Sequence, residues 1–296
     1  MEQITIQAYA KINLSLNVLN RRPDNYHTVR MIMQSLSLCD TLTLTKTQTK
    51  GISLSAKNAE CYPDITWDEK NLIYKAAKLW FDTYPSEYGI HILIDKQIPS
   101  SAGLAGGSSD AAATLKGLNL LFNQNVSIED LKKLGKQLGA DVPYCIMLGT
   151  VVAEGIGEIL TPLSPAPPLY CTLIKPEQGV STKYIYEHLN LTNAKHPNTD
   201  AMIRAIETND ISSLCKNLDN ILEPVALTLC PEITTIEDKL KELGAIGACM
   251  SGSGPTVFGL FTEETKAMEA STYFAEHGYK GRSFITSFYE PSKTIN

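Results

Sequence analysis

Between residues 98 and 110 the chain reads Ile98-Pro99-Ser100-Ser101-Ala102-Gly103-Leu104-Ala105-Gly106-Gly107-Ser108-Ser109-Asp110. This run follows an alternating apolar stretch and opens one with helical periodicity. Glycine accepts positive φ and lets the backbone close on a ligand. At a helix start, free N–H groups and the helix dipole favour an anion such as a phosphate. No lysine follows the glycines, so the G-x-x-x-x-G-K-[ST] loop is absent, and so is G-x-G-x-x-G. Any phosphate here is therefore held by backbone donors and serine hydroxyls, together with a metal ion if one is present. The plain alternative is a small-residue turn that packs a helix on a sheet.

Other residues carry chemistry only in combination. Asp141 stands in Leu138-Gly139-Ala140-Asp141-Val142-Pro143. By spacing it caps a short helix, with Gly139 ending the helix before it and Pro143 in a first turn that tolerates proline. A carboxylate leaning out of such a helix end is also free to take a proton. Lys11 lies between Tyr9 and Asn13 on the polar side of an alternating strand; alone, it reads as a solvated lysine. Asn13, two residues on, shares its face. Tyr26-His27 follows a turn and reads as an ordinary strand start. Asn71 fits a helix cap, and Ser251-Gly252-Ser253-Gly254-Pro255 fits a hairpin turn. His91, His188, His196 and His277 sit in no constellation.

Taken in order, Ala10-Lys11-Ile12-Asn13-Leu14, Pro99 to Ala113 and Ser251 to Pro255 resemble the GHMP kinase superfamily along essentially the whole chain. Within it, Arg21-Arg22-Pro23-Asp24-Asn25-Tyr26-His27-Thr28, Leu138 to Pro143 and Ala153-Glu154-Gly155-Ile156-Gly157-Glu158 are similar to the branch that acts on a cytidine diphosphate-linked methylerythritol. The resemblance implies a two-domain α+β fold, with an N-terminal domain like ribosomal protein S5 domain 2 and a ferredoxin-like C-terminal domain. It implies ATP as co-substrate and transfer of its γ-phosphoryl to the tertiary hydroxyl at carbon 2, in non-mevalonate isoprenoid synthesis. It makes Lys11 and Asp141 catalytic: Asp141 orients and deprotonates the acceptor hydroxyl, while Lys11 keeps it ionised and stabilises the transferring phosphoryl group. ATP contacts fall on Pro99, Ser100, Ser101, Ala102, Gly103, Leu104, Ala105, Gly106, Gly107, Ser108 and Ser109, and on Asn71 near the adenine. Mg²⁺ is expected, with Ser108 or Ser109 as ligand. Asn13 contacts substrate or phosphate. His27 reads the cytosine edge and Tyr26 stacks on its face. Tyr186 completes the sandwich, with Tyr184 as second choice. Ser251 to Pro255 then braces the phosphate loop. The family places glycine where this chain has Asn25, and asparagine is the next best residue at positive φ.

These residues need elements to hold them. Residues 4–18 alternate with period two and predict a half-buried strand. Further strands are predicted at Val29–Leu38, Thr41–Thr47, Ile52–Ser55 and Ile90–Ile98. Helices are predicted over Asn71–Tyr84, Ser108–Phe122, from Ser127 to about Gly139, and again from Asp141. Residues 161–168, TPLSPAPP, hold four prolines, which forbids helix and central strand. A boundary is placed there, giving an ATP-binding domain over 1–160 and a C-terminal domain over 161–296. The second half predicts strands at Leu169–Ile174, Ile246–Met250, Val257–Phe261 and Arg282–Phe288. Its helices are predicted around 182–190, 199–207, 210–219, 231–243 and 263–277. A strand, a helical block, two strands, a helix and a last strand make a ferredoxin-like layer with an enlarged first crossover.

Composition narrows the function classes. The 296 residues carry 26 Lys and Arg against 32 Asp and Glu, a formal charge of −6, with 43% apolar residues. That balance disfavours sequence-independent nucleic-acid binding and docking on anionic lipid. Seven cysteines without a C-x-x-C pair suit reduced, mostly buried thiols and a cytoplasmic setting, and no Cys/His cluster has zinc-ligand spacing. Leu243 to Thr262 is uncharged, but Ser251-Gly252-Ser253-Gly254-Pro255 breaks it, so no membrane span is expected. Two other readings stay open from sequence: another kinase of the superfamily, acting on homoserine or mevalonate, and a non-catalytic nucleotide sensor on the same fold.

Overall fold

A computed structural model describes residues 2–291. In chain order its elements are β1 (Gln3–Arg21), β2 (His27–Thr47), β3 (Ile52–Ala56), α1 (Leu72–Thr83), β4 (Gly89–Asp95), α2 (Gly106–Leu121), α3 (Ile128–Lys136) and α4 (Val142–Met147). There follow β5 (Thr150–Gly155), β6 (Ile159–Pro162), β7 (Tyr170–Ile174), α5 (Thr182–His188), α6 (Thr199–Glu207), α7 (Ile211–Lys216) and β8 (Asp219–Asn220). The chain closes with α8 (Glu223–Leu229), α9 (Glu232–Glu242), β9 (Gly247–Met250), β10 (Val257–Phe261), α10 (Glu264–Phe274) and β11 (Ser283–Ser287).

Two compact units interleave. The first contains the first ten residues, Leu38–Ser100 and Ala105–Met147; the second contains Lys11–Ser37, Ser101–Leu104 and the chain from Leu148 on. The units are therefore not the consecutive blocks 1–160 and 161–296, because β1 and β2 each run through both. One sheet has the order β3-β4-β2-β1-β8, with β5 on β2 and β6 on β5. In the first unit, Thr41–Thr47 of β2 pairs antiparallel with β4, and β3 pairs parallel with β4. Helices α1 and α2 pack on each other there, α2 also packs on α4, and the Trp80 ring of α1 is fully buried. Asn71 caps α1 and Ser127 caps α3, each side-chain oxygen accepting a backbone N–H.

In the second unit, a four-stranded antiparallel sheet has the order β11-β7-β10-β9, the ferredoxin-like order 4-1-3-2. Helices α9 and α10 pack on it, and α5 to α8 with the short β8 fill the enlarged crossover. The proline-rich segment runs from the end of β6 to β7 and is tied at Thr150, whose carbonyl accepts from Leu163 N–H and whose hydroxyl accepts from Ala166 N–H.

Several expectations change. Residues Lys11 to Val18 are buried on both faces, so only the start of β1 is half-buried. Its polar residues there are paired instead of solvated: Lys11 with Asn13, Ser15 with Thr199, Asn17 with His196. The two strands predicted within residues 29–47 are one strand, since nothing between them breaks the ladder. The strand predicted to run to Ile98 stops at Asp95, because Gln97 and Ile98 turn their N–H groups onto the Asp40 carboxylate. The α7 helix stops at Lys216, and α10 stops at Phe274, followed by a π turn over Ala275–Tyr279. The hairpin β5–β6 and helix α8 carry no strong periodicity and were not predicted. No helix among the described residues is long and apolar enough to cross a membrane. Of the cysteines, Cys145, Cys171, Cys230 and Cys249 are buried, Cys39 and Cys215 half-buried and Cys61 exposed; none is in a disulfide.

Candidate active site

The glycine-rich segment is a loop joined to the N-terminus of α2, as its residues predict, but the glycines do other work than expected. Positive φ falls on Ser101 (49°), Gly103 (75°) and Ala105 (58°), so two non-glycine residues adopt the left-handed region. Such alternation turns successive N–H groups to one side and builds an anion-binding concavity. Gly106 and Gly107 are helical. A Cβ built on Gly106 would lie 3.1 Å from Ile98 Cγ2, so this glycine permits close packing. At Gly107, an exposed residue, a Cβ would meet only Leu72 Cδ1, at 3.4 Å.

The two serines at the helix start differ. Ser109 is buried, and its hydroxyl donates to the Tyr9 carbonyl of β1 at 2.6 Å. Ser108 is half-buried, and its Oγ lies 4.0 Å from a Cβ built on Gly139. That contact sets the first turn of α2 beside the turn that leads into α4. The Asp141 carbonyl accepts from Cys145 N–H at 3.0 Å, so the residue caps α4 through its backbone while its side chain is half-buried. Asn71 uses both ends of its amide: Oδ1 accepts from Ile73 N–H and Nδ2 donates to Thr66 O. Capping is the role its geometry gives it.

Lys11 lies in the second unit. Lys11 is only 4% exposed, which removes the solvated reading. Its ammonium donates to Asn13 Oδ1 at 2.6 Å, and its backbone N–H donates to Leu104 O at 3.1 Å. Asn13 Nδ2 in turn contacts Met31 Sδ at 3.3 Å. The late glycine-rich turn braces the loop as expected: Ser251 Oγ donates to Gly103 O at 3.0 Å. A Cβ on Gly103 would lie 2.2 Å from Ser251 O, and one on Gly252 would lie 3.4 Å from Lys11 Nζ. Hence Lys11, the Gly103–Leu104 turn and the Ser251–Gly252 turn form one cluster. Sequence reasoning missed what holds that turn: Asn220 Nδ2 donates to Met250 O and Gly252 O, and Glu223 Oε2 accepts from Met250 N–H. A buried asparagine after Leu218 and before the apolar pair Ile221-Leu222 was the available signal.

The turn before β2 carries the aromatic pair. Asn25 has φ 68°, as its exchange for glycine requires, and Tyr26 N–H donates to Asp24 Oδ1. Tyr26 is 59% exposed, an open face for stacking. The His27 ring sits 5.1 Å from the Tyr186 ring, tilted by 36°. Tyr184 stacks instead on His188 at 3.7 Å. The structure thus brings His27 together with Tyr186, not with Tyr184. Burial, then the nearby Arg21 charge, holds the His27 imidazole below its ordinary value. It is therefore neutral at pH 7, with one donor and one acceptor nitrogen.

Beneath the glycine-rich loop lies a buried ionic cluster that the sequence reading did not single out. Lys96, 3% exposed, donates to Asp40 Oδ2 at 2.5 Å and to Asp110 Oδ2 at 2.8 Å. Its signal was present: Asp40 falls on the same strand face as Leu42 and Leu44, which are fully buried. Burial and the neighbouring Asp40 charge push the phenol of Tyr62, beside the cluster, up to about 12.

Comparison with known proteins agrees with this architecture. The family model for the GHMP kinases N-terminal domain matches residues 71–149, and that for the GHMP kinases C-terminal domain matches residues 202–280. A 4-diphosphocytidyl-2-C-methyl-D-erythritol kinase of Lachnoclostridium phytofermentans is 49% identical over 296 residues, covering 100% of both chains. Its counterpart in Clostridium novyi is 47% identical, covering 90% of this chain and 94% of that one. A crystal structure of 4-(cytidine 5'-diphospho)-2C-methyl-D-erythritol kinase superposes with a TM-score of 0.82 at 31% identity, covering 97% of this chain and 100% of that one. Homoserine kinase from Cytophaga hutchinsonii, at 21% identity and a TM-score of 0.76, shares the fold. With both family models matched and full-length relatives at nearly half identity, the chain belongs to the GHMP kinase family.

Proposed function

We propose that this protein is an ATP-dependent kinase that phosphorylates the 2-hydroxyl of 4-diphosphocytidyl-2-C-methyl-D-erythritol, a step of non-mevalonate isoprenoid precursor synthesis. The observation that carries the substrate choice is the turn Asp24-Asn25-Tyr26-His27. It presents an exposed tyrosine and a neutral imidazole paired with Tyr186, which suits a flat base with a hydrogen-bonding edge. Stacking of a base on an aromatic ring contributes about 1–3 kcal/mol. Neither homoserine nor mevalonate offers such a group.

In this reading the loop Pro99–Ser109 cradles the triphosphate through its left-handed turns and the N-terminus of α2. Asn71 holds the turn that begins α1, and the adenine lies beside it. Lys11, Asn13 and Asp141 are the residues this reading assigns to the phosphoryl transfer. Asp141 orients the acceptor hydroxyl and takes its proton; Lys11 balances charge on the phosphoryl oxygens. Because the transfer is an in-line displacement, positioning and charge stabilisation supply most of the catalysis. Mg²⁺ completes the charge balance when bound. The half-buried Ser108 hydroxyl is a hard oxygen donor that would fit it, whereas the Ser109 hydroxyl is committed to Tyr9. Residues 1–160 supply the ATP loop together with Lys11, Asn13, Tyr26, His27 and Asp141, and residues 161–296 add Tyr186 beside His27 and the brace at Ser251. The compartment is the cytoplasm.

The test is ADP release by purified protein given ATP and, in turn, the cytidine diphosphate-linked methylerythritol, homoserine and mevalonate. ADP release with the first alone is expected. Release with homoserine or mevalonate instead would reassign the substrate. No release with any acceptor, alongside intact ATP binding, would favour a nucleotide sensor.

A further inference from the structure

The phosphate loop has no lysine of its own, yet a lysine is buried directly beneath it. Lys96 Nζ lies 3.5 Å from a Cβ built on Gly106, the first residue of α2. Around it, three segments converge. Asp40 comes from β2, is fully buried, and accepts from Lys96 through Oδ2 and from Gln97 N–H and Ile98 N–H through Oδ1. Gln97 and Ile98 are the residues that lead into the loop. Asp110 comes from α2, just past the loop, and is 4% exposed. Its Oδ2 accepts from Lys96, while its Oδ1 is buried without a hydrogen-bond partner. Lys96 therefore ties the Asp110 carboxyl, which also faces Asp40, to strand β2. Asn58 holds the same lysine by its backbone, donating to Lys96 O and accepting from Lys96 N–H.

We propose that Lys96 is a positioning residue for ATP: clamped between Asp40 and Asp110, it fastens the start and the end of the phosphate loop to strand β2 and so sets the spacing of the loop's backbone donors. With two carboxyl groups on it, the ammonium offers no net positive charge to a triphosphate. Its contribution is geometric. Loop residues held in the left-handed region, Ser101 and Ala105 among them, keep that conformation only where their surroundings over-determine it. A loop pinned at one end alone would relax and lose the convergence of N–H groups on which a lysine-free cradle depends. The inference rests on the kinase reading above and names a residue that touches no substrate.

Asp110→Asn keeps an oxygen acceptor for Lys96 but exchanges the carboxyl for an amide; Asp110→Leu removes the acceptor at similar size. Steady-state kinetics on both, with thermal melts to confirm folding, test the clamp. The expected result is graded and selective: KM for ATP rises about threefold in the Asn variant and tenfold or more in the Leu variant. KM for the cytidine diphosphate-linked acceptor stays within twofold. A residue with a merely structural role would lower the melting temperature and leave both constants in place, or move them together; either outcome overturns the proposal. If Asp110→Leu does not fold, Asp110→Asn decides, and an unchanged KM for ATP in that variant overturns the clamp. Failure of the kinase reading is separate, since the wild-type protein would then transfer nothing to that acceptor.

Discussion

Gly107→Ala separates the stability of the phosphate loop from its chemistry. Gly107 is helical, exposed, and in the first turn of α2. An added methyl meets nothing closer than Leu72 Cδ1 at 3.4 Å, an ordinary contact, and otherwise points into open space. Alanine is about 1 kcal/mol better than glycine inside a helix, and roughly half of that applies in a first turn. The variant is therefore expected to melt about 1–2 °C above wild type. The same methyl stands over the helix N-terminus, where the triphosphate is proposed to rest. Loss of one backbone contact to a phosphate costs about 1.5–3 kcal/mol, or ten- to a hundredfold in ATP affinity. Gly103→Ala supplies the contrast. Its Cβ would come 2.2 Å from the Ser251 carbonyl oxygen, at φ 75°, so both the loop and its brace must move. That variant should lose stability as well as ATP affinity. Calorimetric titration of ATP and thermal melts read both effects. A Gly107→Ala protein that is more stable and binds ATP as wild type does would show that the triphosphate is not held at this helix end.

Other expectations follow from the same geometry. Because burial and Arg21 hold His27 below its ordinary value, KM for the cytidine diphosphate-linked acceptor should be flat from pH 8 down to about 6.5 and rise only in more acid solution; a rise already at pH 7.5 would mean the imidazolium is the form that binds. Glu237, half-buried beside Glu223, has its carboxyl pushed up to about 8. Its stabilising contribution is complete below its unfolded value, near 4.5, and is lost as pH rises through about 8. Glu237→Gln should therefore leave the melting temperature almost unchanged at pH 5 and raise it by several degrees at pH 9; an equal shift at both would remove the titration from the argument. Ser109→Ala breaks the bond to Tyr9 O and should cost about 1 kcal/mol of stability, whereas Ser108→Ala should leave the melt in place and lower kcat.

How much of this was legible in the sequence depends on which forces set each part. The ferredoxin-like sheet order followed from element order, because Val257–Phe261 and its partners have strong apolar runs bounded by turn residues. The phosphate loop was visible because small residues cluster between a strand and a helix. Which of its residues turn left-handed was not: Ala105 does so with φ 58° because flanking structure holds it, not because its own propensity favours it. The rule that lone lysines are solvated fails at Lys11, since its burial comes from turns at Gly103 and Ser251–Gly252, far away in the chain. The interleaved units were hidden for a similar reason. A division drawn at the proline-rich crossover cannot see that β1 and β2 each belong to both. The Lys96 cluster had a signal in Asp40, a carboxylate on the apolar face of Leu42 and Leu44, but the partners of Lys96 lie 56 and 14 residues away.

The central claim is that Asp141 takes the proton of the acceptor hydroxyl while the loop before it holds ATP. Asp141→Asn tests this most directly, because the amide keeps the size of the side chain and leaves the backbone cap of α4 intact. Turnover of the cytidine diphosphate-linked methylerythritol should fall by about 10²–10⁴-fold, as expected for removal of a general base. The dissociation constant for ATP should stay within about threefold of wild type. Turnover within tenfold of wild type, in a variant that binds ATP normally, would contradict the assignment of the catalytic carboxylate.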